Sequence, residues 1–401
     1  MRWVICLLAC LWVTAPAHAQ PAAAGPIRIG VLNDQSGIYA DLSGPGSVLA
    51  ARMAVEDAGG TVLGRKIEIL VADHQNKPDI GTAIAAQWYD RDGVHVIVDV
   101  PVSSVALAIQ EVARTRQRIA IFSSAGSSEL TGKACSPTGF HWTFDTVALA
   151  KGTASAVVKA GGDTWFFLTA DYAFGYAMEA DARALVTAAG GKVLGGVRVA
   201  MGTADMSSFL LQARGSGAKI VAMANAGSDL INSIKQASEF GIVAGGQKLA
   251  GLLVFITDVH SLGLQAAQGL QLTESFYWDL NDGTRAWSAR FSDRFNGRKP
   301  SMTQAGVYSA TTHYLKAVAA AGTTDGPAVA AKMREMPVND FMTANARIRT
   351  DGRVLRDFYL FEVKKPADSK GPWDYYKLIR AIPAEEAVRP ENEGGCSLVR
   401  G

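Results

Sequence analysis

The sequence predicts an α/β chain built as two Rossmann-like lobes with parallel sheets. Short, unbroken apolar runs rich in β-branched residues recur along it, separated by segments with helical spacing of their apolar positions. The alternation runs from Pro26 to Phe144 and then starts again. Strands that are apolar throughout, not only on alternate residues, belong to a parallel sheet covered on both faces.

The first strand is IRIGVL (Ile27–Leu32), and the helix Gly46–Ala58 comes after it with Val48, Ala51 and Val55 on one face. Gly59-Gly60 closes that helix. Next come the strand IEILVA (Ile67–Ala72), a helix through Thr82–Tyr89 and the strand VHVIV (Val94–Val98). A helix through Ala106–Thr115 leads to IAIF (Ile119–Phe122). In the second half, a helix over Ala150–Ala160 precedes the strand TWFFL (Thr164–Leu168) and a helix over Tyr176–Ala189. VLGGVRV, a helix over Ser207–Ser216, KIVAMA (Lys219–Ala224), a helix over Asp229–Phe240 and a strand near Leu249–Phe255 complete it.

The N-terminus reads as a secretory signal over residues 1–19: Arg2, a short apolar core, then Ala17-His18-Ala19 before the cleavage point. The apolar run is shorter than the roughly 20 residues needed to span a bilayer. A rival reading takes Leu7-Leu8-Ala9-Cys10 as a lipid-attachment site. Signal removal leaves about 380 residues, enough for two domains. The 39 basic and 37 acidic residues nearly balance, which excludes the clustered basic excess of a nucleic-acid binder. Cys135 and Cys396 remain as an even pair in an exported chain, which favours a disulfide over two free thiols.

Open parallel sheets bind ligands at the carboxyl ends of their strands. Those ends carry NDQSGIYAD (Asn33–Asp41), VPVSS (Val100–Ser104), SSAGSS (Ser123–Ser128), TADYAFG (Thr169–Gly175) and NAGSD (Asn225–Asp229). All are small, polar or aromatic, and none is a run of charge. They describe a cleft for a small molecule. The Ser-rich loop after IAIF is either a plain turn or an anion cradle, in which hydroxyls and the N–H groups of a helix start face the ligand.

Signatures of catalysis are missing. The sequence has no G-x-S-x-G, H-E-x-x-H or C-x-x-C, and its six histidines lack metal-ligand spacing. Gly215-Ser216-Gly217 does not complete a dinucleotide fingerprint. No enzyme activity, metal or cofactor is expected.

The stretches DQSGIYAD, GPGSVLAARMAVEDAGG, ADHQNKPDIGTAIA, SSAGSSELT, DYAFGYAMEADAR and TADMSSFLLQARGSGAKIVAMANAG resemble the solute-binding proteins of ABC importers. The closest type is the leucine/isoleucine/valine-binding family with the type 1 periplasmic binding fold, and the likeness runs from Ile27 to Lys377. The resemblance implies a periplasmic monomer that traps a small-molecule ligand between two lobes and delivers it to a membrane permease. It also implies a three-strand hinge, with crossings near Asp145–Thr146, Phe276–Trp278 and Thr350–Gly352. Residues 26–146 and 279–350 would form lobe 1, and residues 147–278 and 351–401 lobe 2.

In amino-acid-binding members the ligand carboxylate meets two first-lobe loops, which match Val102-Ser103-Ser104 and Ser124-Ala125-Gly126-Ser127 here. The ammonium half departs from the pattern. Phe174 stands before Gly175 where the family has a tyrosine, Asn225 and Ala226 replace an aromatic segment, and the acidic partner maps to Asp258. Tyr39, Tyr172, Phe174, Tyr277 and Trp278 are expected to face the cleft, although aromatics also serve as lobe packing. The resemblance thus implies an aromatic or apolar organic acid. Alternatives are a branched-chain amino acid, an amide, or a ligand-sensing role on the same fold.

Overall fold

The computed structural model describes residues 25–399. The signal segment 1–19 and Cys10 lie outside the described residues. In chain order the strands are β1 (Ile27–Asn33), β2 (Thr61–Val62), β3 (Arg65–Asp73), β4 (Val94–Asp99), β5 (Ile119–Phe122) and β6 (Gly139–His141). They form one sheet in the order β2-β3-β1-β4-β5-β6, parallel except for the short β2–β3 pair. Ile29, Val31, Val96, Ile97 and Ile121 are fully or almost fully buried in it, as strands apolar on both faces require. Truncating one of them to Ala would cost about 2–5 kcal/mol.

The second lobe carries β7 (Thr164–Ala170), β8 (Lys192–Val199), β9 (Ile220–Ala224) and β10 (Lys248–Gly251), all parallel in the order β10-β9-β7-β8. The run Leu249–Phe255 is therefore a strand only as far as Gly251. Leu252–Phe255 peels away to start the helix Ile256–Leu262. The helix expected over Ala150–Ala160 begins earlier, at Thr146, and contains a wider π turn at Ala150–Ala154.

The hinge side holds a third sheet that the apolar pattern did not announce. It is antiparallel, in the order of β11 (Gln271–Glu274), β12 (Phe358–Val363) and β13 (Tyr376–Ile382). After β11 the chain re-enters the first lobe as the helices Asp282–Arg294, Met302–Ala321 and Gly326–Glu335. The longest of these starts at a capping box: Ser301 accepts from Gln304 N–H, and the Gln304 side chain accepts from Ser301 N–H at 3.0 Å.

The crossings are pinned by Arg353, which is wholly buried. Its Nε lies 2.8 Å from Asp145 Oδ2, and its other nitrogens donate to the carbonyls of His141 and Thr143. Burial alone would raise the Asp145 pKa, but Arg353 and His141 hold it below the usual value. Asp145 also caps the helix behind it through Ala148 N–H at 2.8 Å.

Cys135 and Cys396 are joined, with Cα atoms 5.6 Å apart. This ties the C-terminal tail to the first lobe. Arg389 donates to Ser128 O at 2.7 Å, and Glu391 accepts from Thr350 N–H at 2.8 Å. The tail, expected with the rest of 351–401 in lobe 2, is thus anchored on lobe 1.

Candidate ligand-binding cleft

The site is assembled where β1, β4, β5, β7 and β9 end. β4 stops at Asp99, whose φ is +85°, and Val100 comes next at +56°. Two successive non-glycine residues in the left-handed region are costly, and such positions persist only where their surroundings hold them. Asp99 is completely buried. Its Oδ2 accepts from Asn33 Nδ2 at 2.8 Å and Ser43 Oγ at 2.7 Å, while Ser124 Oγ donates to Oδ1. Burial raises its pKa, and those hydroxyl and amide donors pull it back.

The SSAGSS loop is held from several sides. Ser103 Oγ accepts from Gly126 N–H at 3.3 Å and Ser127 N–H at 3.1 Å. His141 Nε2 pairs with Ala125 O at 2.7 Å, and burial keeps that imidazole's pKa down at about 4. Ser127 Oγ caps Glu129 N–H at 3.4 Å. The loop leads into a single 3-10 turn, Ser128–Thr131, instead of a long helix. The longer helix start beside the loop is Ser103–Thr115, whose first-turn N–H groups lack intrahelical partners. Ser104, half-buried, is in that first turn.

The second lobe meets this wall directly. Tyr39 OH and Tyr172 OH are 2.6 Å apart. A Cβ on Gly126 would lie 2.9 Å from both the Phe174 and Phe144 rings, so only glycine lets Phe174 seat there. Gly227, at φ +59°, brings its helix start so close to Ile38 O that a Cβ would sit 2.5 Å away. Ser228 N–H donates to the same carbonyl at 3.2 Å. Ser128 Oγ of the first lobe donates to Asp181 Oδ2 of the second at 3.0 Å. The lobes are closed.

Between them remains a space of about 10 Å³. Tyr39, Leu42, Pro101, Ser124 and Gly126 wall it from the first lobe, and Tyr172, Phe174, Ala226, Leu253 and Phe255 from the second. Among the described residues, no ionised side chain lines it. Such a volume holds a single water at most, so a ligand enters by parting the lobes.

The structure brings together Tyr39, Ser124, Gly126, Tyr172, Phe174 and Ala226 on this space, with Ser103, Ala125 and Ser127 directly behind. Other expected residues stand elsewhere. Tyr277 OH and Trp278 Nε1 both donate to Trp373 O, at 3.2 and 2.8 Å, within the aromatic packing of the hinge sheet. They are not on the cavity wall. Asn225 Nδ2 donates to Ser233 Oγ at 2.9 Å. Asp258 sits behind Phe255 and accepts its N–H at 2.9 Å, with its pKa pushed up to about 7 by burial. Sequence reasoning missed Asp99, Leu253, Phe255 and Asp181. An acid ending the apolar strand VHVIVD was the one available signal for Asp99.

A family model described as periplasmic binding protein matches residues 26–371. Among solved structures, a periplasmic binding protein from Burkholderia mallei is 50% identical, with a TM-score of 0.92 over 94% of this chain and 100% of that one. The periplasmic ligand-binding protein of a branched chain amino acid ABC transporter from Burkholderia xenovorans LB400 is 40% identical, with a TM-score of 0.82 over 93% and 99% of the two chains. The Leu/Ile/Val-binding protein homolog 6 of Brucella melitensis is 24% identical over 252 residues, 62% of this chain and 64% of that protein. The match thus spans just under two thirds of that curated relative. With two α/β lobes closed over a strand-end cleft, the chain belongs to the periplasmic binding protein family, with the type 1 fold of the Leu/Ile/Val-binding proteins.

Proposed function

We propose that the protein is the periplasmic solute-binding component of an ABC importer and carries a small organic carboxylate with an aromatic or apolar body. The observation that carries this reading is the cavity wall: four aromatic residues (Tyr39, Tyr172, Phe174 and Phe255), aliphatic Leu42 and Leu253, and no ionised side chain among the described residues. The carboxylate is assigned to the first-lobe side, where the free N–H groups of the Ser103 helix start and the Ser103 hydroxyl hydrogen favour an anion. Among the described residues no carboxylate lines the cavity to pair with an α-ammonium group. Asp258 is turned to Phe255 N–H, and an ammonium buried without a partner is costly. Ligand bridging both lobes stabilises the closed state over the open one, and the permease reads that closure. The role is capture and release, without turnover.

The name of the 40% identical B. xenovorans protein favours a second reading, a branched-chain amino acid. A thermal-shift panel of benzoate, phenylacetate, 4-methylpentanoate, L-leucine, L-isoleucine and L-valine decides between them. A ligand at a hundredfold excess over its Kd adds about 2.7 kcal/mol of stability. The acids should give the largest shifts; an amino acid giving the largest would overturn the acid reading.

A further inference from the structure

We infer that Asp99 is a positioning residue that makes Ser124 a hydrogen-bond acceptor toward the cleft, so that the ligand presents a donor, a hydroxyl or an N–H, at that point. The inference rests on the reading that the cleft takes a small acid and adds a second polar feature to it. A serine hydroxyl has one hydrogen and two acceptor positions. Asn33 Nδ2, Ser43 Oγ and Ser124 Oγ all donate to Asp99, and these three bonds favour its ionised carboxylate, which offers acceptors only. The hydrogen of Ser124 is therefore spent on Asp99 Oδ1, and what Ser124 has left for the cavity it lines is lone pairs.

The polarity is fixed from behind. Asn33 Nδ2 donates both to Gly44 O at 3.0 Å and to Asp99 Oδ2 at 2.8 Å, and Asn33 Oδ1 accepts from Gln35, so the amide cannot be turned round. Ser43 Oγ adds a second donor on Oδ2. Asp99 is wholly inaccessible, as are Asn33 and Ser43, so water does not compete for these bonds. The backbone at Asp99 adopts φ +85° to deliver the carboxylate there. The rest of the nearby wall (Leu42, Pro101 and Gly126) offers no side-chain donor. Opposite, the Tyr39–Tyr172 pair uses one hydroxyl hydrogen between its members and keeps one for an acceptor on the ligand.

The consequence is a selection rule that apolar lining alone would not impose. Acids bearing a hydroxyl or N–H should be preferred over counterparts in which that hydrogen is replaced by methyl. Asp99→Asn supplies the sharpest test. Asn33 and Ser43 force the amide oxygen toward themselves, which aims its NH2 at Ser124. Ser124 then accepts from behind and donates to the cleft, and the rule should reverse.

The probes are 2-, 3- and 4-hydroxybenzoate, each against its methoxy counterpart, and L-leucine against 4-methylpentanoate, titrated calorimetrically into wild type, Asp99→Asn and Ser124→Ala. Wild type should favour the donor-bearing member of at least one pair by about tenfold or more. Asp99→Asn should abolish or invert that ratio. Ser124→Ala, which leaves the Asn33–Asp99–Ser43 bonds intact, should bring it toward parity, and this variant carries the test if Asp99→Asn does not fold. A donor preference that survives both variants overturns the inference and leaves the acid reading standing. If L-leucine alone binds and its affinity collapses in the variants, the acid reading falls and the role of Asp99 stands. Binding of none of the four pairs overturns both.

Discussion

The hydroxyls of Tyr39 and Tyr172, 133 residues apart in sequence and on opposite lobes, meet at 2.6 Å across the cleft. Burial, together with the neighbouring tyrosine, raises the pKa of Tyr39 well above its ordinary value, so the pair remains un-ionised and hydrogen-bonded at neutral pH. This contact closes the lobes over a space of about 10 Å³, too small for an organic solute. Tyr172→Phe removes it at a cost of about 1 kcal/mol to the closed state, roughly a fivefold shift toward open. Small-angle scattering of ligand-free protein should show a larger radius of gyration for the variant. An unchanged radius would mean that the seating of Phe174 and the Ser228–Ile38 and Ser128–Asp181 hydrogen bonds hold the lobes together without it.

The hinge ion pair predicts a second outcome. Arg353 and Asp145 are both buried, so Arg353→Met strands a carboxylate without a partner and should cost about 3–5 kcal/mol in urea unfolding. Arg353→Met combined with Asp145→Leu should recover much of that loss. Equal loss in the single and double variants would show that the carbonyl contacts of Arg353, not its charge pairing, hold the crossings.

Asp258 predicts a pH dependence. Its folded pKa, about 7, lies above its unfolded value, so the native state holds a proton that the unfolded chain releases. Its contribution to stability is full at acid pH, declines as pH rises from about 4 to about 7, and is flat above. Asp258→Asn keeps an acceptor for Phe255 N–H without the titration. The stability of the variant relative to wild type should therefore climb across that window, by an amount on the order of a few kcal/mol, and then level off. Parallel stability curves for the two proteins would contradict this.

The Cys135–Cys396 bond closes a loop spanning 261 positions, for which chain-entropy models give roughly 5.5 kcal/mol as a ceiling. Mild reductant should lower the melting temperature and expose the tail from Arg389 to limited proteolysis before either lobe is cut. Two free thiols in protein recovered from an oxidising compartment would rule the bond out.

Much of the first two sheets was legible because continuous apolar runs such as IAIF and KIVAMA have no other economical home than a covered parallel sheet. The hinge sheet was not. It pairs Gln271–Glu274 with Phe358–Val363, and long-range antiparallel pairing leaves no local period. Tyr39, Tyr172 and Phe174 could be placed at the cleft because strand ends converge there. Tyr277 and Trp278 could not be assigned a direction, since one hinge carbonyl, Trp373 O, claims both polar tips. Phe255 was hidden inside a run that reads as strand but leaves it after Gly251. Asp99 was hidden because a lone acid carries no motif; its meaning lies in the three donors that fold around it.

The central claim, that ligand is held between loops that close on it, is tested most directly at Gly126. A side chain there would press on Phe174 and Phe144, each 2.9 Å from its Cβ, and would occupy the closed cleft. Its backbone lies outside the left-handed region, so Gly126→Val is strained by Phe174 of the closing lobe and the buried Phe144 of its own lobe, and not by its own φ. Calorimetric titration of the acid with the largest thermal shift, into wild type and Gly126→Val, is the decisive measurement. A roughly hundredfold or greater loss of affinity, in a variant that loses about 1–3 kcal/mol of ligand-free stability but still unfolds cooperatively, is the predicted result. Equal affinity for the two proteins would place the ligand somewhere other than this cleft.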